Sequence, residues 1–135
     1  MPESEIVRTA LKFVNEINRH DLDSVSALLS DDHLFVDTLG QEVRGKERSR
    51  EAWASYFRWF PDYHLAVREW FQNGRVVGMF GTASGTFAVG SDLPAENRWK
   101  TPAAWRAVIR EHQVAQWQVF ADNEPIWKVM GVRRY

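Results

Sequence analysis

The sequence predicts an α+β domain in which N-terminal helices are wrapped by a cone-shaped, bent antiparallel sheet. Three observations carry this. Apolar residues recur at helical spacing up to Phe60, with one short strand among them. Beyond Pro61 the pattern changes to alternation, the period of half-buried strands. Asn73-Gly74 and Glu111-His112 then divide that half into two hairpins. Helices in one half and antiparallel strands in the other make an α+β architecture. A sheet bent around helices leaves an open end, and ligands favour such concavities.

Each element has a local reason. Residues 3–19 place Ile6, Val7, Ala10, Leu11, Val14 and Ile17 on one helical face, with Glu3 and Glu5 suited to the first turn and Arg19 to the last. Asp21 suits the cap of a second helix carrying Leu22, Val25, Leu28 and Leu29, which Asp31-Asp32 stops. Strand 33–37 follows. Leu34 and Val36 point one way; His33, Phe35 and Asp37 point the other. Gly40 and Gly45 bracket a turn. Helix 46–60 carries Ala52, Trp53, Tyr56, Phe57 and Phe60 on one side and ends before Pro61. Segment 64–72 alternates up to the Asn73-Gly74 turn, and 75–87 returns as a strand interrupted by glycines, which mark bends or bulges. Residues 88–99 read as a loop, 101–110 and 113–121 as the second hairpin, and 124–130 as a terminal turn or helix starting near Pro125.

Composition excludes several classes. The 135 residues fit one domain, 1–135, with no repeat or linker. Seventeen basic and 18 acidic side chains leave a net charge of −1, without the basic stripe of a nucleic-acid or membrane surface. There is no cysteine, which removes disulfides, thiol nucleophiles and Cys-based zinc sites. His33, His64 and His112 lack metal-ligand spacing, so neither metal nor cofactor is expected. No secretory signal or membrane-spanning run is present, and a cytoplasmic protein is the default expectation. Seven Trp and eight Phe suit a small core, an apolar pocket, an interface, or all three.

The stretches HDLDSVSALLSDDHLFVDTLGQEVRGKERSREAW (20–53), FPDYHL (60–65) and VAQWQVFADNEPI (114–126) resemble the nuclear transport factor two-like superfamily, in its ketosteroid isomerase and SnoaL-like branches. The resemblance covers nearly the whole chain. It implies the cone fold and a site at the cone's open end. It leaves the reaction open, because this fold hosts isomerases, cyclases, dehydratases, epoxide hydrolases and non-enzymes.

By that resemblance, Asp37 stands where the isomerases keep the general base that moves a proton next to a carbonyl. In ketosteroid isomerases such a base works beside an oxyanion hole of Tyr and protonated Asp. Here the tyrosine position is Phe13, and Ala103, Ala104, Trp105 and Arg106 stand near the place of the acid; both donors are missing. The Arg-x-Asp pair of the family's epoxide hydrolases is broken by Ala107 and Val108. Asp122, after WQVFA, is a candidate for the place of the aspartate that the resemblance implies in polyketide cyclases, where it protonates or deprotonates the ring-closing carbon.

Each candidate has a plainer alternative. Asp37 is a base in an apolar pocket or the cap of a turn. Asp122 is a catalytic acid or a cap for the terminal helix. Arg106 falls opposite Trp117 if residues 110 and 113 pair, which places it in the pocket; a one-residue change of register turns it outward. Phe13, Phe35, Trp53, Tyr56 and Trp117 are the other expected pocket residues, with Tyr56 able to replace the donor lost at Phe13. His33 is either at the pocket mouth or solvated at a strand edge. Trp105 is expected on the outer sheet face, where exposed aromatics suggest a homodimer. Three readings stand: a small enzyme acting on an apolar or aromatic compound through Asp37, a ligand-binding module without catalysis, and a dimerisation module with a filled cavity.

Overall fold

A computed structural model describes residues 4–131. Four helices, α1 (Glu5–Asn18), α2 (Leu22–Leu28), α3 (Lys46–Trp59) and α4 (Glu124–Met130), accompany six strands: β1 (Leu29–Val36), β2 (Glu42–Arg44), β3 (His64–Asn73), β4 (Val76–Thr86), β5 (Arg98–Arg110) and β6 (Gln113–Ala121). The strands form one sheet in the order β2-β1-β6-β5-β4-β3. The α+β expectation therefore holds, and so do the two hairpins. The expected helix start at Glu3 lies outside the described residues.

Capping defines the helix starts. Ser4 Oγ accepts from Val7 N at 3.1 Å to open α1, and Asp21 Oδ1 accepts from Ser24 N at 3.1 Å to open α2. Those bonds from Ser24 hold the Asp21 carboxyl below its ordinary pKa. Gly74 turns the first hairpin with φ 60°, while Glu111 and His112 both take positive φ (50° and 63°) in the second.

Four features differ from the sequence reading. Helix α2 ends at Leu28 and β1 runs from Leu29 to Val36, so Asp31 and Asp32 lie within the strand rather than stopping the helix, and Asp37 follows it. The Gly40–Gly45 segment holds the short strand β2, antiparallel to β1. The sheet is mixed, because β1 lies parallel to β6 while the other neighbours are antiparallel. Strand β5 begins at Arg98, shortening the loop before it. The parallel pairing gives β1 a neighbour on each side, so His33 is fully buried rather than solvated at an edge.

Bulges set the sheet's registers, with shifts between Leu29 and Leu34, Val67 and Glu69, and Val108 and Ile109. The first lies where β1 joins β6. At the second, β3 crosses β4 so closely that a Cβ on Gly81 would stand 1.7 Å from the Ala66 carbonyl oxygen. The third decides the fate of Arg106. The bulge pairs Arg106 with Gln118 and Ala107 with Trp117, one step from the expected register. Trp105 and Ala107 are buried on the helix-facing side, so the intervening Arg106 lies on the outer face. Trp105, expected outside, is core.

The core joins Val7, Phe13, Ile17 and Trp53 from the helices to Met79, Trp99, Trp105, Ile109 and Trp117 from the sheet. Much of the tryptophan surplus thus lies inside. No helix among the described residues is long and apolar enough to cross a membrane.

Candidate functional site

Helix α3 brings Trp53 and Tyr56, one turn apart, against the inner face of the sheet. The chain leaves α3 at Phe60, and Tyr63 enters on the same side as Leu65, two residues further on, both buried. Phe35 comes from β1 and Trp99 from β5. These side chains enclose a cavity of about 20 Å³, bounded also by Thr38, Thr101, Asn123 and Ile126. That volume is room for a single water molecule.

The rings touch one another. Tyr63 lies 5.5 Å from Tyr56, 6.0 Å from Trp99 and 6.4 Å from Trp53 between centroids. Helix α4 closes the cavity on one side. Asn123, just before α4, donates from Nδ2 to Thr38 Oγ1 after β1, and Ile126 fills the space beside them. Adjoining the cavity along Tyr56, Asn123 and Ile126, α3 and α4 leave a slot of about 190 Å³ lined also by Trp59, Phe60, Trp127 and Met130.

Asp37 follows β1 beside this cavity, and its neighbour Thr38 is part of the lining. Its Oδ1 accepts from the backbone amides of Leu39 and Gln41, each at 2.9 Å. Its backbone N–H donates to Gln41 O and its carbonyl accepts from Gly40 N, each at 3.0 Å. One carboxylate oxygen thus caps the turn, and Oδ2 has no partner among the described residues. The same carboxylate acts on Tyr56. The Tyr56 phenol is pushed above its ordinary pKa first by burial and then by the negative charge of Asp37. The Tyr63 phenol is raised by burial and by Tyr56. Neither phenol hydrogen-bonds to a described residue.

The structure brings together part of the expected set. Phe35, Trp53 and Tyr56 line the cavity and Asp37 adjoins it. Phe13 and Trp117 do not line it. Both are 0% exposed and pack edge-on at 4.9 Å, with Phe13 also against Trp53, so Phe13 and Trp117 are core. Arg106 faces away for the register reason above. Asp122 is exposed; its Oδ1 accepts from Glu124 N at 3.0 Å and its carbonyl from Thr101 Oγ1 at 3.0 Å, which is capping geometry.

Sequence reasoning missed Tyr63, Trp99 and Asn123. Tyr63 was accessible from parity, because it shares a face with Leu65 at the start of the alternating segment. A larger cleft of about 270 Å³ lies at the N-terminal end of α1, among Glu5, Arg75, Glu111 and His112, and holds none of the candidates. Among the described residues no three His, Asp or Glu side chains gather as a metal site requires.

Comparison with known proteins places this geometry. The model of the SnoaL-like domain matches residues 10–122. A candidate SnoaL-like polyketide cyclase from Jannaschia sp. CCS1 superposes with a TM-score of 0.81 at 17% identity, over 99% of each chain. A protein of ketosteroid isomerase-like fold from Catenulispora acidiphila, solved in complex with trimethylamine, gives 0.77 at 13% identity over 93% of each chain. An LEH-like epoxide hydrolase from M. tuberculosis gives 0.77 at 17% identity, over 93% of this chain and 88% of that one. At such identities these likenesses establish the fold alone. No curated protein sequence matches.

Proposed function

The chain belongs to the SnoaL-like domain family, and from that premise we propose that it moves a proton next to the carbonyl of a small molecule, as isomerases and cyclases do, with Asp37 as the base. The observation that carries this is Tyr56. It lines the cavity, its phenol is unpartnered among the described residues, and the Asp37 charge acts on it. The carboxylate proposed as base and the phenol proposed as donor are therefore near neighbours at one edge of the aromatic cavity.

In the step, Asp37 Oδ2 takes a proton from the carbon beside the carbonyl. The C–H electron pair becomes a C=C bond, and the carbonyl π pair moves onto oxygen. The Tyr56 O–H hydrogen-bonds the resulting enolate, in place of the donor lost at Phe13. The proton then returns from Asp37 to carbon. Positioned acid–base groups of this kind contribute about 10²–10⁴-fold in rate, and a single oxyanion donor about 10²–10³-fold. The bonds to Leu39 and Gln41 N–H hold the carboxylate in place without using Oδ2.

The likeness to a candidate cyclase supports the reaction class. Epoxide hydrolysis is disfavoured, because Arg106 points away and no Asp follows it. The trimethylamine held by the Catenulispora protein supports a small-ligand site. Here the rings touch rather than stand apart, which does not favour an ammonium cage.

The test is deuterium uptake from D2O at the methyl carbon of acetophenone, followed by NMR. The wild-type chain accelerates it, and Asp37→Asn removes the acceleration while keeping the melting temperature. Undiminished exchange in Asp37→Asn would overturn the reading. A second reading, binding without catalysis, draws on the small cavity volume and on Asp37 lying beside the lining rather than in it. Its signature is acetophenone binding by the wild type with no exchange.

We further propose a cytoplasmic homodimer formed through the outer sheet face. Phe80, Ala104 and Phe120 stand in register across β4, β5 and β6, and Phe71 packs edge-on to Phe80 at 5.9 Å. Phe71, Phe80 and Phe120 are exposed. Light scattering on Phe80→Lys is expected to give a monomer; a monomeric wild type contradicts the proposal.

A further inference from the structure

Resting on the proton-transfer reading, we infer that the substrate is an uncharged, single-ring ketone or aldehyde, whose ring lies in the slot between α3 and α4 and whose oxygen, held by Tyr56, is also received by Tyr63 in the floor of the aromatic cavity. Three observations carry this.

The first is the polarity of the floor. Away from α4, the polar side chains of the cavity wall are Trp53, Tyr56, Tyr63 and Trp99, together with Thr101, whose hydroxyl is already spent on the Asp122 carbonyl. The aromatic residues contribute two phenol O–H and two indole N–H groups. The Trp53 and Trp99 N–H groups are buried without a hydrogen-bond partner, and neither phenol bonds to a described residue. An indole N–H only donates, and a phenol readily does. Two donor-only indole N–H groups without a partner, beside two phenol O–H groups, suit a ligand that brings an acceptor oxygen. Burial keeps both phenols protonated through the physiological range, so they remain donors.

The second is charge. Neither the cavity nor the slot is lined by Arg, Lys or His among the described residues. The charge that acts there is the Asp37 carboxylate, through Tyr56. A carboxylate or phosphate ligand would lose its hydration to neutral donors and sit near a like charge, which is unfavourable. A carbonyl oxygen meets neither penalty, and its enolate is formed only as Asp37 takes up a proton and becomes neutral.

The third is size. The cavity, at about 20 Å³, accepts an oxygen atom and little more. The slot is about 190 Å³, and Tyr56, Asn123 and Ile126 belong to the linings of both. An apolar cavity of about 150 Å³ holds benzene. The slot's volume matches one six-membered ring with a short substituent, set among Trp59, Phe60, Trp127 and Met130. A ring there directs its carbonyl along Tyr56 toward Tyr63.

The experiment titrates the chain with acetophenone, sodium benzoate and ethylbenzene at pH 7, following tryptophan fluorescence. These probes share the ring and differ in the head group. Acetophenone is expected to bind at least tenfold tighter than benzoate. Tyr63→Phe, which removes one hydroxyl, is expected to weaken acetophenone about tenfold and leave ethylbenzene unchanged, as for one lost hydrogen bond. Benzoate binding as tightly as acetophenone overturns the inference, as does a Tyr63→Phe effect equal for acetophenone and ethylbenzene, or no acetophenone binding. The comparison of probes on the wild type stands even if the variant misfolds. Failure of the two proposals is distinguishable. Acetophenone binding with the Tyr63 dependence but without deuterium exchange removes catalysis and keeps this inference. Asp37-dependent exchange that ignores Tyr63→Phe does the reverse.

Discussion

Gly81→Ala is expected to destabilise the fold strongly, although it adds one methyl group to a strand. The new Cβ would lie 1.7 Å from the Ala66 carbonyl oxygen, 2.8 Å from its carbon and 3.2 Å from Val67 Cα. Real Cβ contacts stay beyond 3.0 Å, so the facing backbone must retreat by at least 3.0 − 1.7 = 1.3 Å. A ladder hydrogen bond of about 2.9 Å stretched by that much no longer exists. Gly81 pairs with Val67 and its neighbour Thr82 with Ala66, beside the bulge, so about two such bonds are at risk. Each costs about 0.5–1.5 kcal/mol, and more where a buried group is left unpaired. Reduced freedom of the unfolded chain returns about 0.4–1 kcal/mol. At about 1 kcal/mol for each bond, the net loss is about 1–2 kcal/mol. With a urea slope of about 1.5 kcal/mol/M, the midpoint falls by about 0.7–1.3 M. Gly78→Ala on the same strand is the control, because its Cβ would meet only Phe80 Cε2, at 3.8 Å. It is expected to change stability by less than about 0.5 kcal/mol. Equal midpoints for the two variants would refute the close crossing of β3 and β4.

Other outcomes follow from the same structure. His33 is fully buried, its Nδ1 is 2.7 Å from Val114 O, and its Nε2 is unpartnered. Burial lowers its pKa below the ordinary 6.5, so the unfolded chain binds the proton more readily. Stability is therefore full above about pH 6.5 and falls as pH drops from there toward the folded pKa, which urea melts across pH 7.5–5 would detect as a slope absent above pH 7. Phe13→Ala is expected to cost about 3–5 kcal/mol, since Phe13 is 0% exposed between Trp53 and Trp117; a loss below about 1 kcal/mol in a thermal melt would place it outside the core. Arg106→Ala is expected to leave acetophenone affinity within about twofold, because the side chain lies across the sheet from the cavity; a tenfold loss would restore the inward register.

The fold was legible wherever one local rule decided the matter. Helical spacing marked α1 and α3, Pro61 marked the change of period, and Asn73-Gly74 marked the first hairpin. What escaped depended on non-local pairing. Nothing in Val108-Ile109 announces a bulge, yet that shift exchanges the faces of Trp105 and Arg106. Nothing local to HLFVD states that β6 will run parallel beside it and bury His33. The site divided in the same way. The positions of Asp37 after the strand and Tyr56 on the inner helix face were readable from local pattern. The enclosing Trp99 and the Asn123–Thr38 contact needed β5 and α4 to be placed in space.

The most direct test of the Asp37–Tyr56 pairing is a crystal of the chain soaked with acetophenone. The account predicts the ketone oxygen about 2.7 Å from the Tyr56 hydroxyl, the ring between α3 and α4, and the methyl carbon facing Asp37 Oδ2. A ketone held elsewhere, or one bound here with its methyl carbon turned away from Asp37, would contradict it.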